Sequence, residues 1–237
     1  MKTFITAIGA SLILSSCHFN ISTGENGNGK VVTEERNVTE DFNEVRGSAG
    51  LDVYLTQGDE NKIVVEADEN LLQYIETDIE DGKLHVTTSE NIGHSKAKKV
   101  YVTYKELNKI EASSGADVIG NSVIKSEFLS LKSSSGADLK VDVFAKDIIA
   151  KTSSGADMEV SGKATSLNAD ASSGSEIKAK ELLVINCNAE ASSGAEVTVN
   201  VKEQLEIHVS SGGDINYYGN PVSVNSNKSH SGSVHKM

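Results

Sequence analysis

Short runs that alternate apolar and polar residues fill the chain from about Arg36 onward. Among them are LDVYLTQ (51–57), KIVVEA (62–67), KLHVTT (83–88) and KVYVTY (99–104). A period of two puts every second side chain on one face, so each run predicts a strand with one buried side. Turn-forming stretches such as QGDEN (57–61) and EDGK (80–83) separate them. Only ENLLQYIETDIE (69–80) carries a pattern that predicts a helical turn.

Further along, the alternation becomes periodic on a longer scale. A Ser-Ser-Gly-Ala-Asp motif recurs with central glycines at 115, 136, 155, 174, 194 and 212, and a weaker copy, GSAGLDVYL, is centred on Gly50. A period near 20 residues predicts a solenoid in which each repeat is one coil. Counting from each glycine, seven residues before it stand Leu129, Ile148, Leu167, Cys187 and Leu205. Five before it stand Ile110, Leu131, Ala150, Ala169, Ala189 and Ile207, and three after it Val118, Leu139, Met158, Ile177, Val197 and Ile215. Val141, Val160, Ala179 and Val199 continue the series five after it. Polar residues hold the even offset four before it: Glu111, Lys132, Lys151, Asp170, Glu190 and His208. Because neighbouring copies share this parity, equivalent positions should stack about 4.8 Å apart. The expected fold is all-β, a parallel β-solenoid with about 20 residues per coil. Cys187 then reads as a small core residue in an aliphatic column.

Composition narrows the partners. The 237 residues carry a formal charge of -12, which repels phosphate backbones and argues against nucleic acid. The only arginines, Arg36 and Arg46, precede the regular repeats, and there is no tryptophan. No zinc-protease helix motif, nucleophile elbow, paired Cys-x-x-Cys or phosphate-binding loop is present.

The first residues, MKTFITAIGASLILSSC, read as a targeting segment: Lys2, a short apolar run, then Leu14-Ser15-Ser16-Cys17. That ending resembles the lipobox of bacterial lipoproteins. The resemblance implies cleavage before Cys17 and acylation of it, for instance with palmitate, and hence a membrane anchor without a spanning helix. Cys187 would then be the sole remaining thiol, so no internal disulfide forms. The expected layout is a signal peptide at 1–16, the lipidated Cys17 with a Gly- and Asn-rich tether at 17–35, and a solenoid at 36–237. Within it, regular repeats run over about 108–219, with a C-terminal cap at 220–237.

VTEDFNEVRGSAGLDVYLTQGDENKIVVEADENLLQYIETDIEDGKLHVTT, the serial SSGAD coils and the closing YYGNPVSVNSNKSHSGSV together resemble the bacterial head GIN-domain family, described as auto-transporter adhesins. The similarity covers roughly residues 36–237. It implies an exported, right-handed parallel β-helix and an adhesive role, and it brings no catalytic or ligand-binding residues with it. SSGSE (172–176), SSGAE (192–196) and SSGGD (210–214) depart from the SSGAD pattern.

The motif itself admits two uses. Glycine suits a tight corner, and small neighbours let corners stack. Two positions after each glycine, Asp117, Asp138, Asp157, Glu176, Glu196 and Asp214 should line one exposed face and form a candidate surface-binding ladder. Such a row could attract Ca2+ weakly, with serine and main-chain oxygens completing its shell; no other cofactor is expected. Rows at this spacing approach the roughly 5–5.5 Å of a retaining glycosidase pair, yet equivalent acids lack the asymmetry that hydrolysis needs. Tyr217 and Tyr218 are the best aromatic platform for a sugar, and His230 and His235 an adventitious metal pair. The expected function is therefore non-enzymatic: an exported envelope lipoprotein, anchored in the outer membrane, whose ladder contacts a glycan, a polymer or a surface protein. A polysaccharide hydrolase or lyase is the rival reading, and a structural envelope protein without a soluble ligand is the third.

Overall fold

The computed structural model describes residues 24–229 and 231–237. The signal peptide, Cys17 and His230 therefore lie outside the described residues. In chain order the strands are β1 (Val31–Arg36), β2 (Glu44–Gly47), β3 (Asp52–Gln57), β4 (Lys62–Asp68), β5 (Ile75–Glu80) and β6 (Lys83–Thr88). Next come β7 (Lys98–Tyr104), β8 (Lys109–Ala112), β9 (Asp117–Gly120), β10 (Ile124–Ser134), β11 (Asp138–Ser153) and β12 (Asp157–Ser172). The series ends with β13 (Glu176–Ser192), β14 (Glu196–Val209), β15 (Asp214–Tyr218), β16 (Ser223–Lys228) and β17 (Ser233–Lys236). The predicted helical turn is a 3-10 turn at Glu69–Tyr74, after which the same stretch becomes β5.

These strands wind into a β-solenoid of about 7 turns with roughly 19 residues per turn. Each long strand bends midway and so contributes to two walls. One wall stacks β7, β3, β9, the first halves of β11 to β14, β15 and β17, all parallel. The other stacks β6, β2, β8, β10, the second halves of β11 to β14, and β16. Between them lie the aliphatic columns read from the repeat. Leu129, Ile148, Leu167, Cys187 and Leu205 follow one another in register, all buried. So do Leu139, Met158, Ile177, Val197 and Ile215. Repetition of one volume at one height lets each rung pack on the next, so burial at roughly 25 cal/mol per Å² accumulates along the axis.

The repeat length varies, yet the corners stay aligned. The register irregularities fall between Glu159 and Gly162 and between Ala179 and Asn186. Both places lie at the bend opposite the glycine corner, which absorbs the extra or missing residues.

Rung order does not follow chain order. The rung built from β2 and β3 is sandwiched between β6/β7 on one side and β8/β9 on the other. The N-terminal end is closed by antiparallel strands: β4 on β7, β1 on β4, and β5 on β6. At the other end β16 and β17 form the last rung, where Ser226 stands opposite Ile207. A polar residue at a position that is aliphatic elsewhere helps blunt an open sheet end against self-association.

One expectation needs correction. Residues 24–35 are not a tether but part of the domain. Glu25 bridges to Ile92, the amide of Gly27 donates to the His94 carbonyl at 2.8 Å, and β1 pairs along its whole length with β4. Glycine and asparagine there serve close packing: a side chain at Gly27 would run into the Asp68 carboxylate.

Candidate binding surface

The corner is built the same way in seven rungs. The second serine and the glycine both take positive φ, 52° and 71° at Ser114 and Gly115, with matching values at the other five copies. Ala49 and Gly50 repeat the geometry at 58° and 70°, so the weak upstream copy is a genuine corner. Two successive left-handed residues reverse the chain as in a primed β-turn, and the Ala116 amide closes it by donating to the Ser113 carbonyl at 3.2 Å. Corners then bond to each other. The amide of Gly50 donates to the Ser114 carbonyl at 3.0 Å, Gly115 to Ser135 at 3.1 Å, and the series continues to Gly194 and Ser211 at 3.2 Å. A Cβ on Gly115, Gly136, Gly155, Gly174, Gly194 or Gly212 would meet nothing within 4 Å. The glycine is therefore required by its backbone angle and not by crowding. The alanine that follows, Ala116, Ala137, Ala156 or Ala195, is buried in the corner.

The acid that follows opens the next strand, and strand pairing sets all six sequence-predicted acids in one row. Asp117 pairs with Asp138, Asp138 with Asp157, Asp157 with Glu176, Glu176 with Glu196, and Glu196 with Asp214. Asp52 extends the row by pairing with Asp117, and Lys99 ends it by pairing with Asp52. Asp52 was missing from the sequence-derived set, although it stands two residues after Gly50 like its counterparts.

The row is not electrostatically uniform. Lys178 contacts Glu176 at 2.9 Å, Lys140 contacts Glu159 at 2.9 Å one column over, and the Asn216 amide donates to Glu196 at 2.7 Å. Asp117 and Asp138 have weaker compensation. Desolvation pushes both carboxyls above their usual range, and neighbouring acids add to it: Asp52 beside Asp117, Asp117 and Asp157 beside Asp138. A carboxylate whose pKa is raised on folding costs stability at neutral pH, and that cost fades as pH falls through the raised value. Asp138→Asn is accordingly expected to stabilise the protein at neutral pH by on the order of 0.5 kcal/mol at low salt. The gain should shrink in high salt and disappear at acidic pH, as measured by thermal melts across pH.

Other candidates fare differently. Among the described residues no three His, Cys, Asp or Glu side chains gather closely enough to hold a metal ion. Tyr217 packs against the core, and the ammonium of Lys180 lies 4.7 Å from the Tyr218 ring centre. His235 is on the final strand opposite Asn216. Burial pushes the Cys187 thiol up to about 12, which leaves it an unreactive core group. None of the helical residues among those described forms a helix long and apolar enough to cross a membrane.

A family model described as "Putative auto-transporter adhesin, head GIN domain" matches residues 41–221. No curated protein matches the sequence. Among solved structures, a "putative adhesin" from Bacteroides fragilis NCTC 9343 superposes with a TM-score of 0.84 at 19% identity, covering 90% of this chain and 100% of that one. A "putative adhesin" from Parabacteroides merdae ATCC 43184 has a TM-score of 0.69 at 24% identity, over 90% and 98% of the two chains. A "putative lipid binding protein" from Parabacteroides distasonis ATCC 8503 reaches 0.72 at 21% identity, over 90% and 99%. At these identities the likeness establishes the shared fold.

Proposed function

Because the chain belongs to the head GIN domain family, we propose that it is a non-enzymatic envelope lipoprotein that uses its solenoid wall as an extended contact surface. The observation that carries this reading is the unbroken register of acids from Asp52 to Asp214, one per rung, on a single wall. A surface that repeats with each rung suits a partner that also repeats, a glycan, a polymer or a surface protein array, bridged where needed by weakly held Ca2+. Glycoside hydrolysis by a carboxylate pair needs two acids whose surroundings push their pKa values apart. In this row Asp117 and Asp138 shift in the same direction and for the same reasons.

Acylation at Cys17 would tether the domain to the outer membrane, supported by the Leu14-Ser15-Ser16-Cys17 sequence. Cys17→Ser should abolish incorporation of a palmitate analogue and move the protein out of the membrane fraction; an unchanged partition would refute the anchor. For the contact wall, the purified protein is applied to a glycan array with and without Ca2+. Asp117→Asn/Asp138→Asn/Asp157→Asn should weaken the Ca2+-dependent part of the captured signal at least tenfold. Ca2+-dependent binding that survives this neutralisation puts that contact elsewhere, and a blank array together with a blank pull-down would favour a purely structural role.

A further inference from the structure

The opposite wall carries a different surface. Outward positions eight and six residues before the corner glycines, with their partners in β16, form two adjacent columns that run from β10 to β16. In one, Phe128, Asp147, Ser166, Asn186, Gln204 and Ser223 follow in register. In the other, Ile149 is followed by Asn168, Asn188, Glu206 and Asn225. Together they line a groove of about 750 Å³. It crosses five rung spacings of about 4.8 Å, roughly 24 Å along the solenoid axis.

The chemistry of this groove is unlike that of the acid row. No lysine or arginine is among the described residues that line it. Its two carboxylates already have partners: the Ser166 hydroxyl donates to Asp147 at 2.6 Å, and His208 lies 3.2 Å from Glu206. The remaining polar groups are hydroxyls and carboxamides. The Oδ1 atoms of Asn186 and Asn188, neighbours in the two columns, are shielded from water and accept no hydrogen bond. A buried acceptor without a donor is unfavourable, so rotating either amide towards an incoming hydroxyl is a net gain. At one end Phe128 is 47% exposed, an apolar ring face open to solvent.

These features select among ligands. An anionic chain would find no cation to pair with. A protein partner would want a central apolar anchor cluster, where this groove has amides. A sugar fits each element: planar amides donate to and accept from neighbouring ring hydroxyls, and the aromatic face packs against the C–H face of the ring. One rung is also on the scale of one pyranose residue, so successive sugars would meet successive rungs. We infer that this groove is a second binding site and takes an uncharged, hydroxyl-rich polysaccharide lying along the solenoid axis. The site is on the other wall from the acid row and does not depend on it.

Native affinity electrophoresis of the full-length protein tests this, with glucomannan, xylan and a mixed-linkage β-glucan as neutral probes and alginate and polygalacturonate as acidic ones. At least one neutral probe should retard the protein. Phe128→Ala and Asn186→Ala/Asn188→Ala should each weaken that retardation at least tenfold, while Asp117→Asn/Asp138→Asn/Asp157→Asn leaves it unchanged. Phe128→Ala removes a half-exposed side chain, and an unaltered circular dichroism spectrum and melting temperature will show that its effect is on binding. Retardation by acidic probes alone, by none, or equally in the wild type and the groove variants overturns the inference. Loss confined to the acid-row variant would overturn it too, while supporting the contact wall proposed above.

Discussion

Replacing Gly162 by alanine is expected to destabilise the solenoid by about 3–4 kcal/mol. Gly162 has φ +109° and lies at the bend of β12, beside Val143 of the preceding rung. A Cβ there would fall against the Val143 carbonyl oxygen and 2.7 Å from an Asp142 carboxylate oxygen. The obstacle is backbone, so no rotamer change relieves it. For a chain of this size a loss of that order lowers the melting temperature by roughly 6–16 °C. Gly155→Ala is the control. Its φ is +67° but the added Cβ meets nothing, so only the left-handed conformation is penalised, about 1–2 kcal/mol. Hydrogen exchange should locate the Gly162→Ala damage in β11 to β13, because solenoid rungs lean on their immediate neighbours. Equal effects of the two substitutions would refute the crowding argument.

Asp68→Ala is expected to cost about 3 kcal/mol and to release the N-terminal strap. Asp68 is 1% exposed, yet its carboxylate accepts from the amides of Gly29 at 2.9 Å and of Lys96 and Ala97 at 3.1 Å. Burial alone would raise its pKa, but these three amides and the nearby Lys96 charge outweigh burial and hold it below the ordinary range. A carboxylate with a depressed folded pKa contributes stability at pH values above its unfolded pKa of about 3.9, and the contribution is lost as pH falls through the folded value. The wild type should therefore lose stability below about pH 4 more steeply than Asp68→Ala does. At neutral pH the variant should be clipped faster by trypsin at Lys30, whose amide sits in the strap next to Gly29. A variant that melts and resists trypsin like the wild type would show that the carboxylate does not hold the strap.

Much of this was readable from the sequence because the repeat is short and its parity strict. The columns through Leu167 and Cys187, the corner glycines and the acids two residues beyond them are local in pattern and recur in every rung. Asp52 obeyed the same rule and needed only the weak copy at Gly50 to be counted in full. The docking of residues 24–35 was hidden for a physical reason: its backbone groups are satisfied by side chains far along the chain. The Asn28 amide donates to the Asn70 side chain 42 residues away, and Asn70 in turn donates to the Asn26 carbonyl. A Gly- and Asn-rich stretch gives no periodic sign of such partners. The amide groove was equally hidden. Its columns hold Phe, Asp, Ser, Asn and Gln in turn, so the sequence shows outward-facing polarity there but not a shared chemistry.

The interleaved placement of β2 and β3 bears on how the chain can mature. Both neighbours of that rung, β6/β7 and β8/β9, are made after it. A nascent chain ending before residue 83 thus holds Val45, Val53 and Leu55 with neither flanking rung, and one ending before residue 109 holds them with β6/β7 alone. The amino-terminal third is thus completed from both sides, first by β6/β7 and then by β8/β9, whereas the regular rungs beyond it can add one at a time in a single direction.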